Sequence, residues 1–175
     1  MRIALYQPEI AGNVGAVLRL AACFGVAVDL IEPMGFAWDD KRVRRTAMDY
    51  IDHVEIARHP GFNSFRDTIG DARLILMTTK SGQSLYDAAF RADDVLLFGQ
   101  ESAGVPAQVA DACNLKLRIP IVPEVRSLNL AMAAGIAASE LLRQTGKPPS
   151  ASLPPISRRL PRSGHLCGPA RRIGP

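Results

Sequence analysis

Four stretches of this chain carry residues whose type and spacing suit chemistry on a charged or flat ligand. Tyr6-Gln-Pro-Glu-Ile-Ala-Gly-Asn13-Val-Gly15 brings a carboxamide to the start of a helical pattern, and Arg19 follows almost two turns later. As a helix N-cap, Asn13 has a structural explanation. Arg19 interrupts an otherwise apolar helix, so it either snorkels to the surface or points into a site. The loop Gly99-Gln-Glu-Ser-Ala-Gly104 follows an apolar strand; its glycines permit close backbone approach and positive φ, and Pro106 is placed to open the next helix. The run Asp39-Asp-Lys-Arg-Val-Arg-Arg45 begins with carboxylates that suit a helix N-terminus and then sets out four basic residues. It reads either as a solvated face or as a patch for nucleic-acid phosphates. The fourth stretch, Arg118-Ile-Pro-Ile-Val-Pro-Glu-Val-Arg-Ser-Leu-Asn129, leaves another apolar run just ahead of an Ala-rich helical pattern.

Two common nucleotide sites are excluded by these loops. Gly99 and Gly104 have the glycine spacing of a P-loop, but Val105-Pro106 stands where Lys and Ser or Thr would hold phosphates and magnesium. No G-x-G-x-x-G follows the first strand, which disfavours the usual dinucleotide fold. What remains is a set of loops after Met77, after Phe98 and after Ile119, each able to present main-chain donors, acceptors and apolar walls to a ligand such as adenine.

The elements that must position these loops follow from periodicity. Ile3 to Tyr6, Val26 to Ile31, Val54 to Ala57, Leu74 to Met77, Val95 to Phe98 and Leu115 to Ile119 read as strands. Asn13 to Phe24, stopped by Gly25, is a helix, as are Asp39 to Met48, Phe62 to Ile69, Pro106 to Ala112 and Asn129 to Gln144. Such alternation predicts an α/β fold: a mostly parallel sheet with helices on both faces.

With 175 residues, 47% of them apolar, the chain suits one domain with a real core. No apolar run reaches the roughly 20 residues that span a bilayer, and no signal-peptide pattern precedes Arg2, which points to the cytoplasm and away from a membrane. Cys23, Cys113 and Cys167 are widely spaced, with no Cys-x-x-Cys pair, so neither disulfides nor a metal site are expected; Cys23 and Cys113 read as small buried apolar residues. The net charge of +4 is uneven: up to Thr145 there are 15 basic against 17 acidic residues, and all of the excess lies from Lys147 onward. We therefore read residues 1–145 as the folded domain and 146–175 as a basic, Pro/Arg/Gly-rich, disordered tail that adds at most nonspecific attraction to RNA.

Taken in order, Tyr6-x-Pro-Glu-Ile-x-x-Asn13-x-Gly15 with Arg19, Ile31-Glu-Pro-Met-Gly-Phe-Ala-Trp-Asp-Asp-Lys-Arg42, Phe98-Gly-x-Glu-x-x-Gly-Val-Pro106 and Arg118 to Asn129 closely resemble the SPOUT methyltransferases of the tRNA (cytidine/uridine) 2′-O type, which act on the wobble nucleotide. The resemblance runs from about Arg2 to Gln144. It implies a sheet whose C-terminal part forms a trefoil knot, a homodimer, S-adenosylmethionine as cofactor and tRNA as substrate. By matching positions it places Met77, Gly99, Gly104, Ile119, Ser127 and Leu128 around the cofactor, and Arg19, Asn13, Glu101 and Asn129 at the methyl group and ribose. In related enzymes the arginine matching Arg19 is the proposed base; a guanidinium that stays protonated would instead grip the neighbouring phosphate. Lys41, Arg42, Arg44, Arg45 and Arg126 are the candidate phosphate contacts. The helix after Asn129 departs from the pattern, with Ser139 where relatives usually carry an aromatic at the expected dimer interface. A ribosomal RNA methyltransferase and a noncatalytic RNA-binding protein are the competing readings.

Overall fold

The apolar runs Leu74–Met77 and Val95–Phe98 are too short to make helices that bury themselves, and they become central strands. In the computed structural model, which describes residues 1–39 and 48–146, the strands are β1 (Arg2–Tyr6), β2 (Ala27–Ile31), β3 (Ile56–His59), β4 (Leu74–Met77), β5 (Val95–Phe98) and β6 (Leu115–Leu117). All neighbours pair in parallel, in the order β3-β2-β1-β5-β4-β6. The helices are α1 (Ala11–Phe24), α2 (Phe62–Ile69), α3 (Ala107–Asp111) and α4 (Leu130–Thr145), with short 3₁₀ turns at Met48–His53 and Leu85–Asp87.

Alternate residues of the central strands feed two separate cores. Ile3 and Leu5, Ile75 and Met77, and Leu96 and Phe98 pack with Val14, Val17, Leu18 and Ala21 of α1 and with Ala134, Ala137, Ala138 and Leu141 of α4. Ala4, Tyr6, Leu74, Leu76, Val95 and Leu97 turn the other way, onto Phe65 of α2 and Val109 of α3. Helices thus cover both faces as expected, which is why these strands read as unbroken apolar runs. Full burial of one such side chain, Leu96 for instance, stabilises by about 1.5–3 kcal/mol.

Several boundaries differ from the sequence reading for identifiable reasons. Helix α1 starts at Ala11, two residues before Asn13; Ile10 occupies the N-cap position without a side-chain cap bond. Asn13 is therefore not the cap, and its carboxamide is free for other partners. Strand β3 is displaced from Val54–Ala57 to Ile56–His59, in register with Val28 through Ile31. The displacement is held by polar contacts that periodicity does not register: His59 Nε2 lies 2.8 Å from the buried Asp29 carboxylate, and Arg58 Nε donates to Glu32. Strand β6 stops at Leu117 rather than Ile119, because the Arg118 N–H donates to the Gln83 carbonyl and the Arg118 carbonyl accepts from Leu85.

Cys23 is exposed and Cys113 only half-buried, which corrects their reading as small buried apolar residues. The thiol of Cys113 donates to the Val109 carbonyl, and partial burial pushes it up to about 11. The helix expected over Asp39–Met48 falls almost wholly on residues 40–47, outside the described residues, as do Lys41, Arg42, Arg44, Arg45 and everything from Lys147 onward. Helix α4 ends at Thr145, with Gly146 in the left-handed cap conformation. Among the described residues no helix is long and apolar enough to cross a membrane.

Candidate active site

The strand order reverses between β1 and β5: β2 and β3 lie on one side, β4 and β6 on the other. In open parallel sheets ligands sit beyond the carboxyl ends at such a switch point. Leu5 pairs with Phe98, Phe98 with Met77, and Met77 with Leu117. The loops leaving β1, β5, β4 and β6 therefore emerge side by side on one edge.

The loop after β5 closes on itself. Gln100 N–H donates to the Gly104 carbonyl at 2.8 Å, and Gly104 N–H returns to the Gln100 carbonyl at 2.9 Å. Gly104 holds a φ of 74°, and a Cβ on Gly99 would stand 2.4 Å from the Gly104 carbonyl carbon. Sequence reasoning assigned both glycines to close approach of a ligand. The geometry gives them a prior task, closure of this loop, which sets the direction of Glu101.

Glu101 is the centre of a hydrogen-bonded chain across three elements. Its Oε1 accepts from Asn13 Nδ2 at 3.0 Å, and its Oε2 accepts from the Glu9 N–H at 2.9 Å. Asn13 Oδ1 accepts from Asn129 Nδ2 at 2.8 Å, while Asn129 Oδ1 accepts from the Ala131 N–H at 2.9 Å and so caps α4. Three residues singled out separately are thus joined, although 88 and 116 positions separate the partners. Glu101 and Asn13 are half-buried and Asn129 is exposed. A carboxylate offers about four lone-pair sites, so Glu101 keeps acceptor capacity for a hydroxyl.

Sequence reasoning missed the turn that holds this loop from the N-terminal side. The Glu9 carboxylate accepts the Ser102 N–H at 2.8 Å and the Ser102 hydroxyl at 2.7 Å; these bonds hold Glu9 below the ordinary carboxylate range. Gln100 Nε2 donates to Gln7 Oε1 at 3.0 Å, and Gln7 itself adopts a φ of 47°. Such a left-handed, non-glycine residue persists where its surroundings over-determine it: Gln7 N–H donates to Ile31, and Gly35 N–H donates to Pro8. A Cβ on Gly35 would stand 2.8 Å from the Glu9 Cα. The available signal was a carboxylate directly after Gln-Pro at a strand's carboxyl end.

The remaining residues fall into three groups. Arg19 is not joined to the Glu101 chain; it is exposed, and its guanidinium carbon lies 5.0 Å from the centre of the Tyr50 ring. Met77 is buried at the end of β4, Ile119 is half-buried, and Ser127 and Leu128 are exposed just before Asn129. The segment they belong to also exposes Val122 and Val125, apolar surface that a flat ligand would cover. Arg126 is exposed on the same segment. Beside it, a groove of about 450 Å³ runs between α1 and α4, lined by Leu20, Met132, Gly135, Ile136 and Ser139. Among the described residues no group of three or more His, Cys, Asp or Glu could hold a metal ion.

Comparison with known proteins finds relatives of this chain. A tRNA (cytidine(34)-2′-O)-methyltransferase of Beijerinckia indica is 47% identical over 146 residues, covering 82% of this chain and 91% of the relative. A solved structure described as structural insights into the 2-OH methylation of C/U34 on tRNA is 42% identical, with a TM-score of 0.78 over 82% of this chain and 94% of that one. An AdoMet-bound rRNA methyltransferase from Sinorhizobium meliloti superimposes with a TM-score of 0.73 at 26% identity, covering 81% of this chain and 55% of its own. Residues 1–139 match the family described as SpoU rRNA Methylase, and the chain belongs to that family.

Proposed function

We propose that this protein transfers a methyl group from S-adenosylmethionine to the ribose 2′-hydroxyl of the wobble nucleotide, position 34, a cytidine or uridine, in tRNA anticodon loops. The observation that carries the reading is the chain Glu101–Asn13–Asn129 at the switch point of the sheet, in a protein whose relatives bear that activity in their names. A target of this kind is unpaired and can be splayed into a site, as RNA recognition generally requires.

The donor set fits the cofactor. Met77 ends β4, and Gly99, Gly104, Ile119, Ser127 and Leu128 lie on the adjacent loops after β5 and β6, the latter with exposed apolar side chains. The cofactor supplies an electrophilic methyl group when bound. Alignment and proton removal fall to the protein. Glu101, fixed by Asn13 and by the Glu9 N–H, accepts the hydroxyl proton or its hydrogen bond. Arg19 grips the phosphate beside the target ribose, with the Tyr50 ring against its guanidinium. Lys41, Arg42, Arg44, Arg45 and Arg126 hold flanking phosphates, so affinity falls steeply as salt rises.

The same reading includes a homodimer that packs the exposed groove beside α4, with Ser139 leaving room there, a trefoil knot in the C-terminal part of the sheet, residence in the cytoplasm, and a folded unit of residues 1–145 with a basic tail. The ribosomal alternative is favoured by the family's description and by the S. meliloti neighbour. One assay separates them: labelled S-adenosylmethionine is incubated with the protein, bulk tRNA and ribosomal RNA, and the ribose-methylated nucleotide is mapped. Label at nucleotide 34 of tRNA is expected; label confined to ribosomal RNA overturns the substrate. Absence of S-adenosylmethionine binding by calorimetry would identify a noncatalytic RNA-binding protein instead.

A further inference from the structure

We infer that Glu9 is a positioning residue for methyl transfer, acting through Glu101 rather than on the substrate. Glu9 works from both ends. Its carboxylate takes the N–H and the hydroxyl of Ser102 at 2.8 and 2.7 Å, while its own N–H donates to Glu101 Oε2 at 2.9 Å. Residues 101 and 102 are therefore clasped by a single residue of the N-terminal turn, 92 and 93 positions away in sequence. The clasp has a rigid backing: Gly35 meets the Glu9 Cα so closely that a Cβ would stand 2.8 Å away, and Gln100 Nε2 reaches Gln7, just ahead of Glu9. Closure of the Gln100–Gly104 loop fixes its shape; it does not fix where the loop sits relative to α1. Asn13 and Gln7 hold residues 101 and 100, and the Glu9 carboxylate holds residue 102. Without the Glu9 carboxylate, Glu101 keeps its bonds to Asn13 and to the residue 9 N–H, but Ser102 is released and the backbone that carries Glu101 loses the brace that sets its exact position. Misplacement by about 1 Å at a reacting group can cost roughly 100-fold in rate.

This inference rests on the reading of Glu101 as the group that meets the ribose hydroxyl, and the test keeps the two apart. Single-turnover methyl transfer from labelled S-adenosylmethionine to bulk tRNA is measured for Glu9→Ala, Glu9→Gln, Glu101→Gln and Glu9→Ala/Glu101→Gln, with cofactor affinity by calorimetry. Glu9→Ala is expected to lower the rate at least about tenfold with cofactor affinity within twofold. Glu9→Gln still offers an oxygen to the Ser102 N–H and an amide to its hydroxyl, and keeps a rate near that of the native protein. In the Glu101→Gln background the further loss from Glu9→Ala shrinks to less than twofold, because residues that act as one unit are not additive. A native rate for Glu9→Ala beside an impaired Glu101→Gln overturns the role of Glu9 alone. Full activity of Glu101→Gln overturns the reading of the site. Equal losses from Glu9→Ala in both backgrounds, or a Glu9→Gln as slow as Glu9→Ala, show that Glu9 does not act by this clasp. If Glu9→Ala fails to fold, Ser102→Ala removes only the hydroxyl arm, and a severalfold loss confined to the native Glu101 background is expected in its place.

Discussion

Two polar clusters sit on the same sheet and are built from the same kinds of residue, yet their surroundings give them opposite uses. In the half made by β1 to β3, Asp29 is fully buried. Its oxygens accept from Arg2 Nε at 2.7 Å and Nη2 at 3.0 Å and are paired with His59 Nε2 at 2.8 Å. That cluster is closed: its partners are fixed, and His59 is sealed under Phe65 at 5.5 Å between ring centres. At the switch point, Glu101 has one protein donor on each oxygen and remains half-buried. Saturation and burial, rather than residue type, separate a carboxylate that holds a fold from one that can meet a substrate.

The largest effect expected from this contrast is on stability. Asp29→Ala leaves the buried His59 ring without its partner and takes from Arg2 one of its two carboxylates, Glu55 remaining, which costs about 3 kcal/mol. Denaturant unfolding should show that loss, while the fraction that stays folded should methylate at the native rate. A variant that unfolds normally but turns over slowly would break the comparison from this side. Glu101→Gln should do the reverse: the amide can still accept from one donor, so stability changes by less than about 1 kcal/mol, whereas turnover falls roughly 100-fold. Loss of stability without loss of rate would place Glu101 with Asp29 among the structural carboxylates.

A smaller and sharper division is available at Asn129, which has one arm in each kind of role. Its Oδ1 caps α4 and its Nδ2 holds Asn13. Asn129→Asp keeps an acceptor at the N-cap, where Asp is as good as Asn, but replaces the donor to Asn13 with an oxygen. Its turnover should fall severalfold with little change in unfolding. Asn129→Ala removes both arms and should also lower stability by about 1 kcal/mol. Identical behaviour of the two variants would mean that the bond to Asn13 does no more than cap the helix.

How much of this could be read from the sequence depended on whether the signal was local. Val95–Phe98 and Leu74–Met77 emerged with the expected boundaries, because burial on both faces imprints an apolar run. Gly25 announced the end of α1 for the same local reason. Asp29, by contrast, sits inside an apolar strand, and its partners Arg2 and His59 lie 27 and 30 positions away; no periodicity encodes that pairing, and β3 was misplaced by two residues as a result. Asn13 was read as a cap because a polar residue at a helix start usually is one. Its hydrogen-bond partners, Glu101 and Asn129, are distant in sequence, so only the resemblance to a family grouped the three before the structure joined them. Glu9 lay inside a quoted motif and was still missed, since its function depends on a loop more than 90 residues later.

The smallest effect concerns pH and again distinguishes an open cluster from a closed one. The two bonds from Ser102 favour the charged form of Glu9 and hold it below its ordinary value of 4.5. A carboxylate depressed in the folded state contributes its stabilisation above the unfolded value and loses it as pH falls through the folded one. The clasp on Ser102 should therefore be complete from about pH 5 upward and loosen only in more acidic solution. Because Glu9 is only partly buried and its carboxylate bonds to Ser102 of the loop, the effect belongs to the loop and not to the global unfolding transition. Hydrogen exchange reads it directly. After correction for the intrinsic dependence on pH, protection of the Ser102 amide should be flat between pH 5 and 8 and should drop below 4.5, whereas the paired strand amides of β1 and β2 stay protected. A loss of Ser102 protection already at pH 6 would mean that a group other than Glu9 governs the loop, and the likeness between this carboxylate and the closed Asp29 pair would then end at geometry.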